Sequence, residues 1–561
     1  MRRPRKRPGA VPAAAVLICI LVALPGAPAV AERPRAARMG ALATPVKLVP
    51  ADGRPIAIEG LHSYFGTIRL GSFSDGIAVV DRLPLERYLL GLNEVPVSWP
   101  AEALKAQAVA ARTYARWTLE QGPAGVAAAY GFDICASDQC QVFSGADVVF
   151  SLGGFRWADA VADTTGETLL YRDRPILARY SSTSGGRTLD NPQAFPGETD
   201  YPYLQGVPSP TERSAPLWRW TVSFPLRRLQ TIVEHAGWWN AGRLQDVRSI
   251  SSRAGSHYPD ISLGGTRGRL RVTAEELRDL VRDLAPALFP SDYPAPALTT
   301  SGRMPETFPS NRLRARTRGS IVRFVGRGWG HGVGMSQWGA YGLAARGETY
   351  RDILTHYYSG VEVGRLHDPG PIDVGVALAQ STVAATGSFS IVDGRGATVV
   401  RHALGRWTFR YAGPGAVQVE PPRGYGLPLR VSIVDAPASV DPGATRQLKI
   451  ALSRPATVVA SGAGRGRPPA IEHAGVSVVP WTAPARPGRY EVRVHASTGG
   501  LDRASAPVEV VVRGPTRAVP PDADDGRGGR GSVLLALVLA ALAALALCVV
   551  GLKVLPGRIG A

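Results

Sequence analysis

The sequence predicts a mixed α+β domain carrying an insertion, then an all-β, immunoglobulin-like sandwich, and last one C-terminal transmembrane helix. Three observations carry that prediction. Between 50 and 361, strand alternation gives way to helical spacing and returns, with glycines at the breaks. Between 370 and 513, short alternating strands such as Tyr490-Glu491-Val492-Arg493-Val494 recur at regular turn spacing, the pattern of a β-sandwich. Residues 533–552 form an uncharged run of Leu, Ala and Val, which rises roughly 30 Å as a helix, about one hydrocarbon core. Lys553 and Arg558 follow it on a short tail, as expected on the cytoplasmic side.

The chain of 561 residues has room for two or three domains. A 45% hydrophobic share with 19% charged residues excludes a disordered or collagen-like chain. At the N-terminus, Arg2, Arg3, Arg5, Lys6 and Arg7 precede an apolar run over 11–24, and Ala29-Val30-Ala31 offers a cleavage site. Residues 1–31 therefore read as a secretory signal peptide, followed by a mobile leader over 32–49. The expected location is the cell membrane, single-pass, with the ectodomain facing the cell wall. Net charge is +19, and a basic face outside the cell meets anionic wall polymers and lipid headgroups, with no nucleic acid.

Four cysteines are too few for a disulfide-dense miniprotein. Cys19 lies in the signal peptide and Cys548 in the membrane run, so Cys135 and Cys140 are left outside. In an oxidising compartment two cysteines five apart close a short disulfide loop, and two sulfurs fall short of a four-ligand zinc site.

Taken in order, residues 55–82 alternate as strands with Gly and Asp at the turns. Pro84 starts a helix carrying Leu85, Tyr88, Leu89 and Leu92, which ends at Glu94 before Val95-Pro96. A second helix starts near Pro100 and runs past Trp117. Residues 167–181 read as a hairpin turning at 172–175, and an Arg-rich section over about 211–315 holds a helix near 274–287. Strand, glycine loop and helix return over 316–361, and a Pro/Gly/Asp/Arg linker covers 514–531.

Two stretches carry chemical signals. On the second helix Leu104, Ala108, Ala111 and Ala115 share the core-facing side, while Lys105, Arg112 and Arg116 fall on one basic stripe. That stripe is either a solvated face or, with Glu94 just upstream, part of a site for an anionic or sugar-rich polymer. In the second stretch, glycines at 326, 328, 330, 332 and 334 alternate with other residues. The pattern fits neither a dinucleotide fingerprint nor a phosphate loop. It reads as close backbone packing, with Trp329, Trp338 and Tyr341 lining a cleft suited to sugar rings and His331 among them.

Several chemistries are excluded. No serine stands three residues before any lysine, so the Ser-x-x-Lys acyl-enzyme is absent. There is no His-Glu-x-x-His, and the nine histidines form no metal-type pair. A cysteine peptidase would need a free thiol, and the outer cysteines are read as paired.

The segment from Leu85 to Ala115, with Asn93-Glu94-Val95-Pro96 at its centre, resembles the stage II sporulation protein D family, which includes the amidase enhancers. So do Cys135 to Phe143, Tyr180-Ser181-Ser182-Thr183-Ser184-Gly185-Gly186, the glycine loop from 326 to 342, and Tyr350 to Gly360. The resemblance spans roughly 50–361, which it makes a catalytic domain, with the 211–315 section as a less typical insertion. It implies a peptidoglycan lytic transglycosylase acting on glycan strands stripped of their peptides, with Glu94 as catalytic acid. Arg112 and Lys105 would bind lactyl carboxylates, and Tyr180, Ser181, Trp329, His331, Gln337 and Tyr341 complete the substrate-binding set. Some relatives bind zinc near the second cysteine. Here Gln139 stands before Cys140, so the expectation is the disulfide, with no metal and no cofactor. Other relatives only enhance a separate cell-wall amidase, and a non-catalytic activator of an N-acetylmuramoyl-L-alanine amidase stays open as the alternative.

Overall fold

A computed structural model describes residues 39–513 except 52, 253–256, 291–296, 299–301, 304–306, 463–469 and 499–500. The signal peptide, residues 32–38 of the leader, the linker and the predicted membrane run lie outside the described residues; the rest of the predicted mobile leader is instead held in the large sheet, with Ala41–Ala43 and Val46–Pro50 as paired strands. Among those described, no helix is long and apolar enough to cross a membrane. The architecture is mixed α/β, with many sheets and few long helices.

The largest sheet joins strands from the two ends of the stretch between Ala41 and Glu420. Its central strands, Val46–Pro50, Thr67–Ser72 and Ile77–Pro84, pair in antiparallel order. On one side Val46–Pro50 pairs with Thr382–Val392, which pairs with Thr398–Tyr411 and then Ala416–Glu420. On the other side Ile77–Pro84 pairs with Pro371–Gln380. This corrects the boundary read at 370: residues 371–420 complete the first sheet, and the sandwich begins after them. The correction has a simple cause. Local alternation marks a strand but says nothing about a partner some 290 residues away. Asp373 fastens the join, accepting from Arg69 at 2.7 Å and Arg82 at 2.9 Å.

One helix, Ala101–Gln121, is the hub of this region. Leu104, Ala108, Ala111 and Ala115 face the large sheet's core, as the spacing predicts. Its opposite side is buried too, because Ala106, Val109 and Ala110 belong to a second core formed with Leu169, Leu177, Met335 and Ile353. Alanines permit this double burial by letting both layers approach the backbone. The predicted basic stripe is therefore not a solvated face: Arg112 is 0% exposed and Arg116 8%.

The insertion forms its own six-stranded antiparallel sheet. Its order is Trp220–Pro225, Ile321–Gly326, Leu313–Arg318, Leu244–Ile250, Asp260–Gly265 and Arg269–Thr273. The insertion thus runs to Gly326 rather than about 315, since Ile321–Gly326 is held between two of its own strands. Helices Leu226–His235 and Ala274–Leu288 cover one face, burying Leu229, Ile232, Leu277 and Val281. The second helix opens with a capping box in which Thr273 accepts from the Glu276 amide and Glu276 from the Thr273 amide. Beyond 429, two further sheets share a core of Leu448, Ile450, Val458, Trp481, Val492, Val494 and Val510.

A buried acid sits in the large sheet. Asp81 is 0% exposed, and burial pushes its carboxyl up to about 8, with the charge of Asp373 adding and the Gly66 amide opposing. A raised carboxyl contributes stability that is present below its unfolded pKa and lost as pH rises through the folded one. Asp81→Asn is neutral at every pH. Its gain in melting temperature over the parent should be several degrees at pH 8 and clearly smaller at pH 5. Equal shifts at both pH values would show that Asp81 does not titrate in this way.

Candidate functional site

Glu94 sits in the loop between Leu85–Leu90 and Ala101–Gln121, four residues past the helix end, which the spacing placed at Glu94 itself. The loop is zipped to the segment that follows the disulfide. Leu92 bridges Phe143, the Asn93 amide donates to the Val142 carbonyl at 2.9 Å, and the Val142 amide donates to Glu94 Oε1 at 2.7 Å. Cys135 and Cys140 are bonded, closing the turn that presents Gln141 and Val142.

Behind the acid lies a buried relay. The Tyr88 hydroxyl donates to Gln141 Oε1 at 2.9 Å, and Gln141 Nε2 donates to the Tyr180 hydroxyl at 2.8 Å. Because Gln141 fills an acceptor position on Tyr180, the phenolic proton is free to point at Glu94, with which Tyr180 hydrogen-bonds. Gln337 Nε2 stands 3.4 Å from the Glu94 carbonyl and 3.5 Å from Oε2, a long contact at the mouth of the site. Burial pushes the Glu94 carboxyl up to about 7; the Val142, Tyr180 and Gln337 donors oppose the shift and the charge of Asp138 adds to it. Near neutral pH a large fraction of Glu94 therefore holds its proton.

The acid opens onto a cleft of about 630 Å³. Tyr180, Ser181, Trp329, His331 and Gln337, all read from the sequence, line it. The insertion helix supplies another wall with Glu275, Arg278, Asp279 and Arg282. The glycine loop explains how Trp329 and His331 arrive there. Its backbone runs beside 179–184, with Trp329 bridged to Thr183 and Met335–Ser336 pairing in parallel with Tyr180–Ser181. A Cβ on Gly334 would stand 2.0 Å from the Arg179 carbonyl, and one on Gly330 2.8 Å from Ser181 Cβ; both glycines also have positive φ. Gly328, Gly330 and Gly334 must be glycine because they face that neighbouring segment, whereas a Cβ on Gly326 would meet the Trp220 ring.

Some predicted residues serve the scaffold instead. His331 is held well below the usual imidazole range, to about 3, by burial and by Arg179. Its Nδ1 accepts from the Val333 amide at 3.0 Å, so it is a neutral ring that shapes the wall. Ser181 accepts from the Gly332 amide at 3.2 Å. Arg112 does not reach the cleft. Its guanidinium grips Glu86 with two 2.8 Å bonds and also donates to the carbonyls of Val161 and Glu167. Lys105 pairs with Asp163 at 3.0 Å and Glu102 at 3.6 Å. Tyr341 packs against Trp99 and Trp338 and is not part of the cleft wall. Helical spacing put both cations on one stripe, but Glu86 and Asp163, which hold them most closely, come from other helices.

Sequence reasoning also missed partners. Gln141, fully buried, orients Tyr180, and Arg179 lies 3.7 Å over the Phe195 ring at the cleft's side. Glu212, also fully buried, accepts from the Ser184 hydroxyl, the Ser184 and Gly186 amides and the Ser336 hydroxyl. That one carboxylate ties the serine-glycine turn to the glycine loop. No local motif flags it, since its partners lie in two distant segments. Both sulfurs are in the disulfide, position 139 is an amide, and no group of three or more His, Cys, Asp or Glu able to hold an ion occurs among the described residues.

The acid, its relay and the glycine loop define one class of protein, and comparison with known sequences names it. The family profile described as stage II sporulation protein matches residues 74–171. Stage II sporulation protein D of Bacillus amyloliquefaciens is 30% identical over 293 residues, covering 51% of this chain and 75% of that protein. Its counterpart in Bacillus subtilis is 29% identical, covering 51% and 75%. The amidase enhancer of Bacillus subtilis is 28% identical, covering 48% of this chain and 39% of that protein. The chain belongs to the stage II sporulation protein D and amidase-enhancer family. Among solved structures, dimeric latent PorU from Porphyromonas gingivalis aligns with a TM-score of 0.14 at 17% identity, over 26% of this chain and 14% of that one. Fibronectin(III)-like modules of Clostridium thermocellum CbhA align with a TM-score of 0.12 at 15% identity, over 28% and 72%. Neither likeness carries an argument.

Proposed function

We propose that this protein acts on the cell wall as a peptidoglycan lytic transglycosylase, cleaving denuded glycan strands with Glu94 as its acid. The observation that carries the reading is one half-buried carboxyl, pushed up to about 7 by burial, at the floor of a polar cleft. A glycosidic bond breaks when its oxygen receives a proton as oxocarbenium charge develops on the sugar. Glu94 delivers that proton and is left as a carboxylate, which the Val142 amide and the Tyr180 hydroxyl stabilise. The carboxylate then takes the proton of the sugar's own 6-hydroxyl, whose oxygen attacks C1 and closes the 1,6-anhydro ring. Glu94 ends protonated, ready for another strand. Trp329 offers an aromatic face for a sugar ring. Glycan strands incubated with the protein should yield anhydro-ended fragments.

The amidase-enhancer relative supports a second reading, a non-catalytic activator of a cell-wall amidase using the same cleft. In that case glycan strands stay intact, and added amidase releases peptides faster from whole sacculi.

We place the ectodomain facing the wall on a single span over 533–552. After wall digestion the full-length protein should pellet with membranes and need detergent, while a chain ending near 513 stays soluble. Full-length protein in the soluble fraction would remove the anchor.

A further inference from the structure

The insertion sheet turns one face to its helices and leaves the other in solvent. On the covered face lie Val222, Phe224, Val322, Phe324, Leu313 and Ala315. Strand alternation then sends Arg314, Arg316 and Arg318 of one strand and Arg323 of the next outward, and all four are exposed. Register makes the arrangement unusual. Arg248, Arg316 and Arg323 stand directly opposite one another on three adjacent strands. Neighbours in such a row are about 5 Å apart, and like charges set opposite are destabilising. Asp246 is shared by Arg248 at 3.7 Å and Arg269 at 3.6 Å. Among the described residues, no carboxylate forms an ion pair with Arg314, Arg316, Arg318 or Arg323.

The same face continues into a concavity of about 1,200 Å³, whose lining includes Arg219, Arg312, Arg314, Arg327 and His257 and no carboxylate. No residue lines both this concavity and the Glu94 cleft. Along a strand, arginines two residues apart are spaced about 6.8 Å, close to the repeat of phosphates on a short polyol chain. Guanidinium groups are suited to phosphate because their donors form a planar fork. Only Ile321 and Val325 interrupt the charge on these two strands, too little apolar surface for insertion into a bilayer. None of the exposed positions there is aromatic, so base stacking on a nucleic acid is not served.

We propose that the outer face of the insertion sheet binds a polyol phosphate chain, in which phosphodiesters alternate with short polyols and no bases are present, and so holds the protein against a phosphate-bearing surface. The site is independent of whether Glu94 cleaves glycan. The test titrates full-length protein in detergent with fluorescent poly(glycerol phosphate), measuring binding by anisotropy at low and moderate salt. Binding should weaken about tenfold or more as salt rises from about 50 to 200 mM, as for other polyanions held by several charges. Arg316→Ser with Arg323→Ser should weaken it about tenfold at low salt, with melting temperature preserved at these exposed positions. Arg406→Ser with Arg410→Ser, on the large sheet, should leave it unchanged, and so should Glu94→Gln. The proposal is overturned if the polymer fails to bind, if both arginine pairs matter equally, or if hyaluronate, thymidine oligonucleotides or anionic phosphatidylglycerol vesicles bind as tightly.

Discussion

Glu94→Gln should lower the rate of glycan cleavage by about a hundredfold to ten-thousandfold, the usual contribution of a positioned acid–base group. Glutamine keeps the shape and still accepts from the Val142 amide, but it has no proton to deliver. The parent's activity should fall as pH rises through about 7, where the carboxyl ionises. The stability signature is separate and has the opposite benefit. Folding raises this carboxyl from 4.5 to about 7, so its favourable contribution is complete below about 4.5 and disappears as pH passes 7. The glutamine variant escapes that loss and should be at least as stable as the parent at pH 8. An inactive but unusually stable variant is the expected mark of a catalytic acid held against its solvation preference. A variant that stays active, with the parent's pH profile, would remove Glu94 from the chemistry.

Arg112→Ala should unfold the hub rather than weaken glycan binding. The guanidinium joins three helices and a strand: its own, Glu86 on Leu85–Leu90, Val161 on Gly154–Asp163, and Glu167 at the start of Glu167–Tyr171. Alanine removes the guanidinium donor from two carbonyls and from Glu86, to which, among the described residues, only the Gly166 amide still donates, and opens a cavity at a fully buried position. Breaking a buried ion pair costs about 3–5 kcal/mol, and because Glu86 is 36% exposed the lower end applies. Chemical denaturation should show that loss, while glycan affinity per folded molecule stays near the parent's. Normal stability with weakened affinity would restore Arg112 to the binding surface.

Local pattern was a good guide where one element decides the outcome. The helix after Pro100, the helix near 274–287, the disulfide and the cleft-lining Trp329 are legible because spacing or a fixed partner sets them, while Gln337 is reached only through the family resemblance. Glu94 was legible as a carboxylate at a break before Val95-Pro96, although the helix ends at Leu90 and the loop, not the helix, presents it. What the sequence hid was pairing at a distance. Arg112 looked available because Glu86 lies on a different helix. Residues 371–420 looked like the sandwich because their alternation is the same as that of its strands. Gln141 and Glu212 were invisible for the same reason: they act through partners 26 to 124 positions away on several segments at once.

The central claim is that Glu94 breaks a glycosidic bond and lets the sugar's own hydroxyl capture the cation. Its most direct test incubates the protein, at about pH 6 and without any amidase, with glycan strands stripped of peptides, and reads the new ends by mass spectrometry. The account predicts 1,6-anhydro-muramyl ends, lighter by one water than hydrolysed ends, from the parent protein and their loss in Glu94→Gln. Intact strands that bind the protein but are never cut, or fragments with only reducing ends, would contradict it.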